Sequence, residues 1–582
     1  MNYLRTFFIL LLLALVLAVS SCKTTTAPQS QLNSQGLQLD LIARHVSNQY
    51  GEGAAEIVAH DHQHQKLYVV NGANKAIDII SIAQLPTQPL KLPYSGSNLQ
   101  SRQLILPKTI SLEQSQSIEL GGPNSLAIYD DMLAVAVAAK NKQANGVILF
   151  YSIGEEKPSL IKGVSVGALP DMVTFSKDGS KVIVANEGEP SKDYRVDPEG
   201  SISIITTRPN ISSQAKHLRF TDFNNQRSEL EKSGVKFASP EGTSVSQDLE
   251  PEYITVSDDG SKAYVSLQEN NAIAIIDLHQ ESLLEVQGLG FKDWGQYKID
   301  VSNKDGVNAA NYENVYGMYQ PDAIASYDVN GKTYILSANE GDAREYIYQA
   351  TEADCKAASH TFDKEDGCIS YTEEYRAKKL SLKSPSVIDS YYHKNGIGRL
   401  KVTNVLGDED GDGMYDKLYS YGARSFSIWN QDAELVFDSG DDFEQLLIQR
   451  YGENFNSNEN ENKGDARSDD KGAEPEAITV GMVYGKTYAF IGLERHGGIM
   501  IYDISNPHQP SFESYINNRD FDKSFEIDDD ADPVSLKGAY DQVGDLAPEG
   551  LAFIDAKNSP TGKPLLAVAN EVSGSISIYQ IR

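Results

Sequence analysis

Apolar and polar positions along this chain alternate in short runs, and the runs recur within one phrase. Stretches such as Ala263-Tyr264-Val265-Ser266 have the two-residue period of a half-buried strand. The fullest copy of the phrase starts at Pro321-Asp322-Ala323-Ile324-Ala325, turns at Asn330-Gly331 and ends at Ala338-Asn339-Glu340. Other copies run from Pro170-Asp171 to Asn186-Glu187, from Pro251-Glu252 to Glu269-Asn270, from Pro475-Glu476 to Glu494-Arg495 and from Pro548-Glu549 to Asn570-Glu571. Pro123-Asn124 opens a copy without an acid, and a degenerate first copy spans Ala55-Glu56 to Val70-Asn71. Asp-Gly and Asn-Gly supply the positive φ of a hairpin. A third apolar run follows many copies, as at Ile275-Ile276-Asp277 and Ile576-Ser577-Ile578-Tyr579. Three or four strands per repeat, in about seven copies, predict an all-β chain folded as a single seven-bladed β-propeller of WD40-like architecture with long loop insertions. A β-solenoid is the rival, but its coils are shorter and more regular.

The chain divides into three parts. Residues 1–22 pair a basic start at Arg5 with an apolar core, and Val19-Ser20-Ser21-Cys22 matches a lipobox. This predicts a lipoprotein signal peptide, with an ordinary cleaved signal or a membrane helix as the alternatives. Residues 23–36, rich in Thr, Ser and Gln, suit a flexible tether, and 37–582 hold the propeller. Lys23 stands where an inner-membrane retention signal would place Asp, so the expected location is the outer membrane, facing the periplasm or the cell surface. The membrane is met only through lipid on Cys22, and the body is expected to be monomeric. A net charge of −31 excludes nucleic acid and anionic membrane as partners and suits cation binding. Cys355 and Cys368 share one polar insertion, where an exported protein forms a disulfide; reduced thiols or a metal site are the alternatives. Insertions at 89–116, 207–248, 280–318, 341–422, 440–472 and 504–545 are candidate functional loops. Glu453 to Gly472 is almost wholly polar and is expected to be mobile unless metal orders it.

Two groups of residues carry candidate chemistry. In Asp408-Glu409-Asp410-Gly411-Asp412-Gly413-Met414-Tyr415-Asp416, alternate carboxylates and glycines let a tight loop wrap oxygen ligands around Ca2+. Asp408, Asp410, Asp412 and Asp416 are the expected ligands. The loop departs from an EF-hand, since Tyr419 replaces the bidentate Glu; a polar turn without metal is the alternative. The second group follows from the repeat. Equivalent blade positions share a ring, so Asp171, Glu252, Asp322, Glu476 and Glu549 should lie at one level, and Glu187, Glu269, Glu340, Glu494 and Glu571 at another. Such acids either cap strand ends or hold cations, because uncompensated they repel. Arg344, Arg424, Arg495 and His496 depart from the repeat and look site-like. His60-Asp61-His62-Gln63-His64 reads as a surface turn. No Ser-His-Asp triad, P-loop or Rossmann signature is present in the sequence.

The chain resembles the choice-of-anchor I family, which includes proteins called mesenchyme-specific cell-surface glycoprotein and some called alkaline phosphatase. The resemblance rests on Ala185-Asn186-Glu187-Gly188-Glu189-Pro190, Ala338-Asn339-Glu340-Gly341-Asp342-Ala343-Arg344, Gly422-Ala423-Arg424-Ser425-Phe426 and Ala547-Pro548-Glu549-Gly550-Leu551. Pro548-Glu549-Gly550-Leu551-Ala552 also looks like phytase-like propellers, in which calcium on an acidic face serves phosphate chemistry. Two functions stay open. One is a calcium-stabilised envelope protein that binds protein or glycan. The other is a calcium-dependent phosphoesterase, with Glu187, Glu340 and Glu476 holding metal and Arg344, Arg424 and Arg495 clamping phosphate. No nucleophile is identifiable.

Overall fold

The Asn330-Gly331 pair takes left-handed φ at both residues, 54° and 75°, and closes the hairpin of Ile324–Val329 on Lys332–Ala338. In this computed structural model, residues 36–112, 117–154, 157–364, 366–383 and 396–582 are described. Cys22, its lipobox and all but the last tether residue lie outside them.

Each copy of the phrase becomes an antiparallel sheet. Pro170–Phe175, Lys181–Asn186, Ser201–Thr206 and Lys216–Arg219 follow in order, as do Ile254–Val256, Lys262–Leu267, Ala272–Asp277 and Ser282–Gly288. In the Pro321 copy the third strand, Phe426–Asn430, arrives only after the 341–422 insertion. The first strand of each sheet packs on that of the next: Val58–Asp61, Ser117–Tyr129, Pro170–Phe175, Ile254–Val256, Ile324–Val329, Pro475–Val483, Pro548–Ile554, and back to Val58–Asp61. Apolar cores fill the gaps between neighbouring sheets. Ile183 and Ile202 meet Val265 and Ala274, Leu336 and Ile428 meet Ile491 and Met500, and Phe490 stacks on Phe553 with centroids 5.8 Å apart. A closed circuit of four-stranded sheets, one of them with a fifth strand, and with cores between them is a β-propeller.

The closing device is not readable from the repeat. Leu39–Val46 pairs with Ser575–Ile581, from Leu39 opposite Ile581 to Val46 opposite Ser575. The first strand thus completes the last sheet. Buried Arg44 fastens it, donating from Nε to Asp545 and from Nη2 to the Gly544 carbonyl.

The insertions are built structures. Those at 280–318 and 341–422 share a five-stranded sheet that includes the parallel pair Val315–Met318 and Leu418–Ser420, over a core holding Trp294 and Leu400. Cys355 and Cys368 form a disulfide, with Cα atoms 5.6 Å apart. Glu453 to Gly472 corrects its expectation. Phe455, Asn456, Ser457 and Ser468 are buried. Arg519 donates to the carbonyls of Asn458 and Glu461, and Arg376 and Arg399 grip Asp469. Ion pairs replace the apolar core that composition denies this segment.

Candidate cation site on the propeller axis

The acid after the proline is aimed by a backbone irregularity in several copies. The residue before the proline is left-handed at Leu169, Gln320, Glu474 and Ala547. The register then skips at the acid: Pro170 faces Asn186 but Met172 faces Ala185, and Pro548 faces Asn570 but Gly550 faces Ala569. Such bulges re-aim a side chain out of the pleat. The second acid is tied to the first through the backbone. The Glu187, Glu494 and Glu571 amides donate to the Leu169, Glu474 and Ala547 carbonyls at 2.9, 2.7 and 2.7 Å. The Asn beside it is scaffold. Asn186 Nδ2 donates to Ser203 Oγ at 2.9 Å, and Asn339 Nδ2 to Ser427 Oγ at 2.8 Å. The sequence reading missed this role, although Ser201-Ile202-Ser203, Ser425-Phe426-Ser427 and Ser575-Ile576-Ser577 carry its signal.

The acids surround a cavity of about 370 Å³, and eleven of its twenty lining residues are Asp or Glu, with no Lys, Arg or His among them. Asp171, Glu252, Asp322, Glu476 and Glu549 of the first expected ring line it, with Glu187, Glu269 and Glu340 of the second. Glu494 and Glu571 are not in the wall; Glu494 acts on Glu476, and Glu571 on Glu549. Burial first, and neighbouring carboxylates second, push the Glu252 and Glu476 carboxyls well above their ordinary range. Burial raises Asp171 to about 6. Burial and Glu571 raise Glu56, from the degenerate first copy, to about 8.

Glu340 belongs to two triads, one with Asp322 and Glu476 and one with Glu474 and Glu494, each with oxygens within 4.8 Å of one another. The second is already compensated. Glu474 receives Arg467 at 2.6 Å, Arg495 at 3.0 Å and Lys471 at 3.1 Å. Despite burial, these cations hold its carboxyl well below the usual range. In the first triad Lys471 reaches Glu340 Oε1 at 2.6 Å and the Gln268 amide donates to Oε2 at 2.8 Å, while Glu476 Oε2 is buried without a partner. All-oxygen donors of this kind fit a hard divalent cation.

The candidate arginines lie outside the cavity wall. Arg344, fully buried, pairs with Glu250 and donates to the Asp248 carbonyl at 2.7 Å. Arg424 bonds Glu444 at 2.7 Å and the carbonyls of Asp300, Ser468 and Asp470. Arg495 is shared by Glu459, Glu474 and Glu494. Buried carboxylates and carbonyls take most of their donors, while Arg344 Nε is buried without a partner. His496 is buried against Tyr451 and Phe521.

The Asp-rich loop is a separate, exposed turn. Asp408 accepts the amides of Gly411, Asp412 and Gly413, and the Asp408, Asp410 and Asp412 oxygens converge within 4.8 Å. The Lys383 ammonium bonds Asp410 and lies 3.2 Å from Asp412 and 3.7 Å from Asp416. It stands among the carboxylates that a cation would use.

The sequence model of the choice-of-anchor I domain matches residues 56–507. The chain belongs to the choice-of-anchor I family. Gigasin-3a of Magallana gigas is 31% identical over 208 residues, covering 34% of this chain and 68% of that one. A mesenchyme-specific cell surface glycoprotein of Strongylocentrotus purpuratus is 28% identical over 265 residues; the match spans 42% of this chain and only 33% of the urchin protein. Kuenenia stuttgartiensis hydrazine synthase aligns over 92% of this chain and 97% of its own at 10% identity and a TM-score of 0.43, a likeness that adds nothing to what the sheets show. Choice-of-anchor I membership and the fold make this a surface-associated propeller protein.

Proposed function

We propose that this protein is a calcium-dependent binding protein of the cell envelope, anchored through lipid on Cys22, whose axial cavity holds Ca2+ and whose insertions carry the ligand-binding surface. The observation that supports this most directly is a cavity lined by eleven acids and no base, in which Asp322, Glu340 and Glu476 converge and Glu476 Oε2 has no donor. A buried carboxylate without a partner is costly, and a bound cation removes that cost. The relative named as a cell surface glycoprotein agrees with a place at the cell surface. The circuit of first strands supports seven blades.

The second reading is a phosphoesterase, and the same triad favours it, since a metal held there could activate water. The engagement of Arg344, Arg424 and Arg495 counts against it. Calorimetry with Ca2+ after chelator treatment should give binding heat and a raised melting temperature; a flat titration with no melting shift overturns the cation reading. Chelator-sensitive hydrolysis of an aryl phosphate or phytate, lost in Glu476→Gln, would establish the enzyme instead. Mass spectrometry of the mature protein should find acylated Cys22, and membrane partitioning that survives Cys22→Ala would refute the anchor.

A further inference from the structure

We propose that the axial cavity has a second cation locus at Glu252 and Glu269, distinct from the Asp322–Glu340–Glu476 triad. This rests on the reading of the cavity as a cation site and adds where, and how many times, the metal binds. Glu252 is 9% exposed and Glu269 8%. Both line the cavity, and no amide, hydroxyl or base of the described residues donates to the buried Oε2 of either. The two belong to one blade: Glu252 precedes its first strand, Ile254–Val256, and Glu269 follows its second, Lys262–Leu267. Burial first, then Glu269, then Asp322 of the triad and Glu187 of the preceding blade raise Glu252, and the two carboxyls lie within hydrogen-bonding reach of one another.

Among the described residues, no base forms an ion pair with either carboxylate. Arg344, the base that acts on Glu269, is committed to Glu250 and the Asp248 carbonyl. Lys471 is committed to Glu340 and Glu474. A metal at the triad would not be ligated by them, because neither belongs to the set of oxygens that converges there. The Gln268 amide marks the division. It sits beside Glu269 in sequence and donates across the blade boundary to Glu340 Oε2 at 2.8 Å. It thereby satisfies one triad oxygen while leaving the Glu252 and Glu269 oxygens open. Two carboxylates with free oxygens and no competing ammonium form a hard-cation site, completed by water as calcium allows.

The test counts equivalents. The exposed Asp-rich loop is first silenced by Asp410→Asn with Asp412→Asn, so that only cavity metal is read. Chelator-stripped protein titrated with Ca2+, with native mass spectrometry as the count, should take up two ions. Glu252→Gln with Glu269→Gln should reduce this to one, and Glu476→Gln should also leave one. One ion in the loop-silenced protein, undiminished by the Glu252 and Glu269 changes, overturns the second locus and leaves the proposed cation function standing. No ion at all overturns both. If the double Gln variant does not fold, crystals of the wild-type protein soaked in Tb3+ decide by anomalous scattering. Two cavity peaks, one at Glu252 and Glu269, support the proposal, and a single peak at the triad refutes it.

Discussion

At the scale of single residues, the fate of each charge depends on whether a donor reaches it. Glu474 and Glu476 stand two positions apart, yet Glu474 has three basic partners and Glu476 has an oxygen with none. Glu476→Gln should therefore weaken calcium binding by at least about tenfold, as loss of a ligand does, and should raise the metal-free melting temperature by removing an unpaired buried acid. The loop at Asp408 makes the opposite case. Lys383 competes there for Asp410, Asp412 and Asp416, so Lys383→Ala should tighten calcium binding at the loop. Calorimetry would show this as a new high-affinity phase; unchanged binding would mean that the loop takes no metal.

At the scale of elements, the closing strand Leu39–Val46 is held by a buried ion pair between Arg44 and Asp545. Asp545 also accepts the Ser575 hydroxyl at 2.7 Å and the Asn518 amide at 2.6 Å. Asp545→Ala would strand a buried guanidinium, at a cost of about 3–5 kcal/mol, readable as a lowered denaturant midpoint. Removing the Cys355–Cys368 bridge, 13 residues apart, should cost about 3 kcal/mol at most and act on the insertion rather than the blades. The elements differ in how readable they were. Hairpins such as Asn330-Gly331 and the acid rings were legible because one local phrase encodes each blade. The closing strand was not, since Leu39–Val46 lacks the phrase and finds its partner at the far end of the chain. The order in Glu453 to Gly472 was hidden for a related reason: Arg376, Arg399 and Arg519, which fix it, are distant in sequence. The arginines Arg344, Arg424 and Arg495 were visible as departures from the repeat, but only three-dimensional distances show that carboxylates already hold them.

At the scale of the molecule, the convergent acids make stability depend on pH, and the proposed cation site would make it depend on metal as well. Glu56 moves from 4.5 up to about 8 and Asp171 from 3.8 up to about 6, both chiefly through burial. The folded state therefore keeps protons that the unfolded chain has released, and their contribution, complete below about pH 4, is lost as pH rises through 6 and 8. Glu474, held low, acts in the reverse sense only as pH falls below 4.5. In chelator the melting temperature should fall from pH 5 to pH 8, and saturating calcium should flatten that fall. A metal-free profile that rises over this range would contradict the account. Closure of the circle also sets the kinetics. Arg44 and Asp545 meet across 501 residues of sequence, and contacts of such long range are slow to form because loop closure must come first. The first strand waits for the last to be made, and only then do the acids of successive blades face one another. Calcium should accordingly leave the rate of refolding unchanged and slow unfolding alone, acting as a latch fitted after the ring has shut.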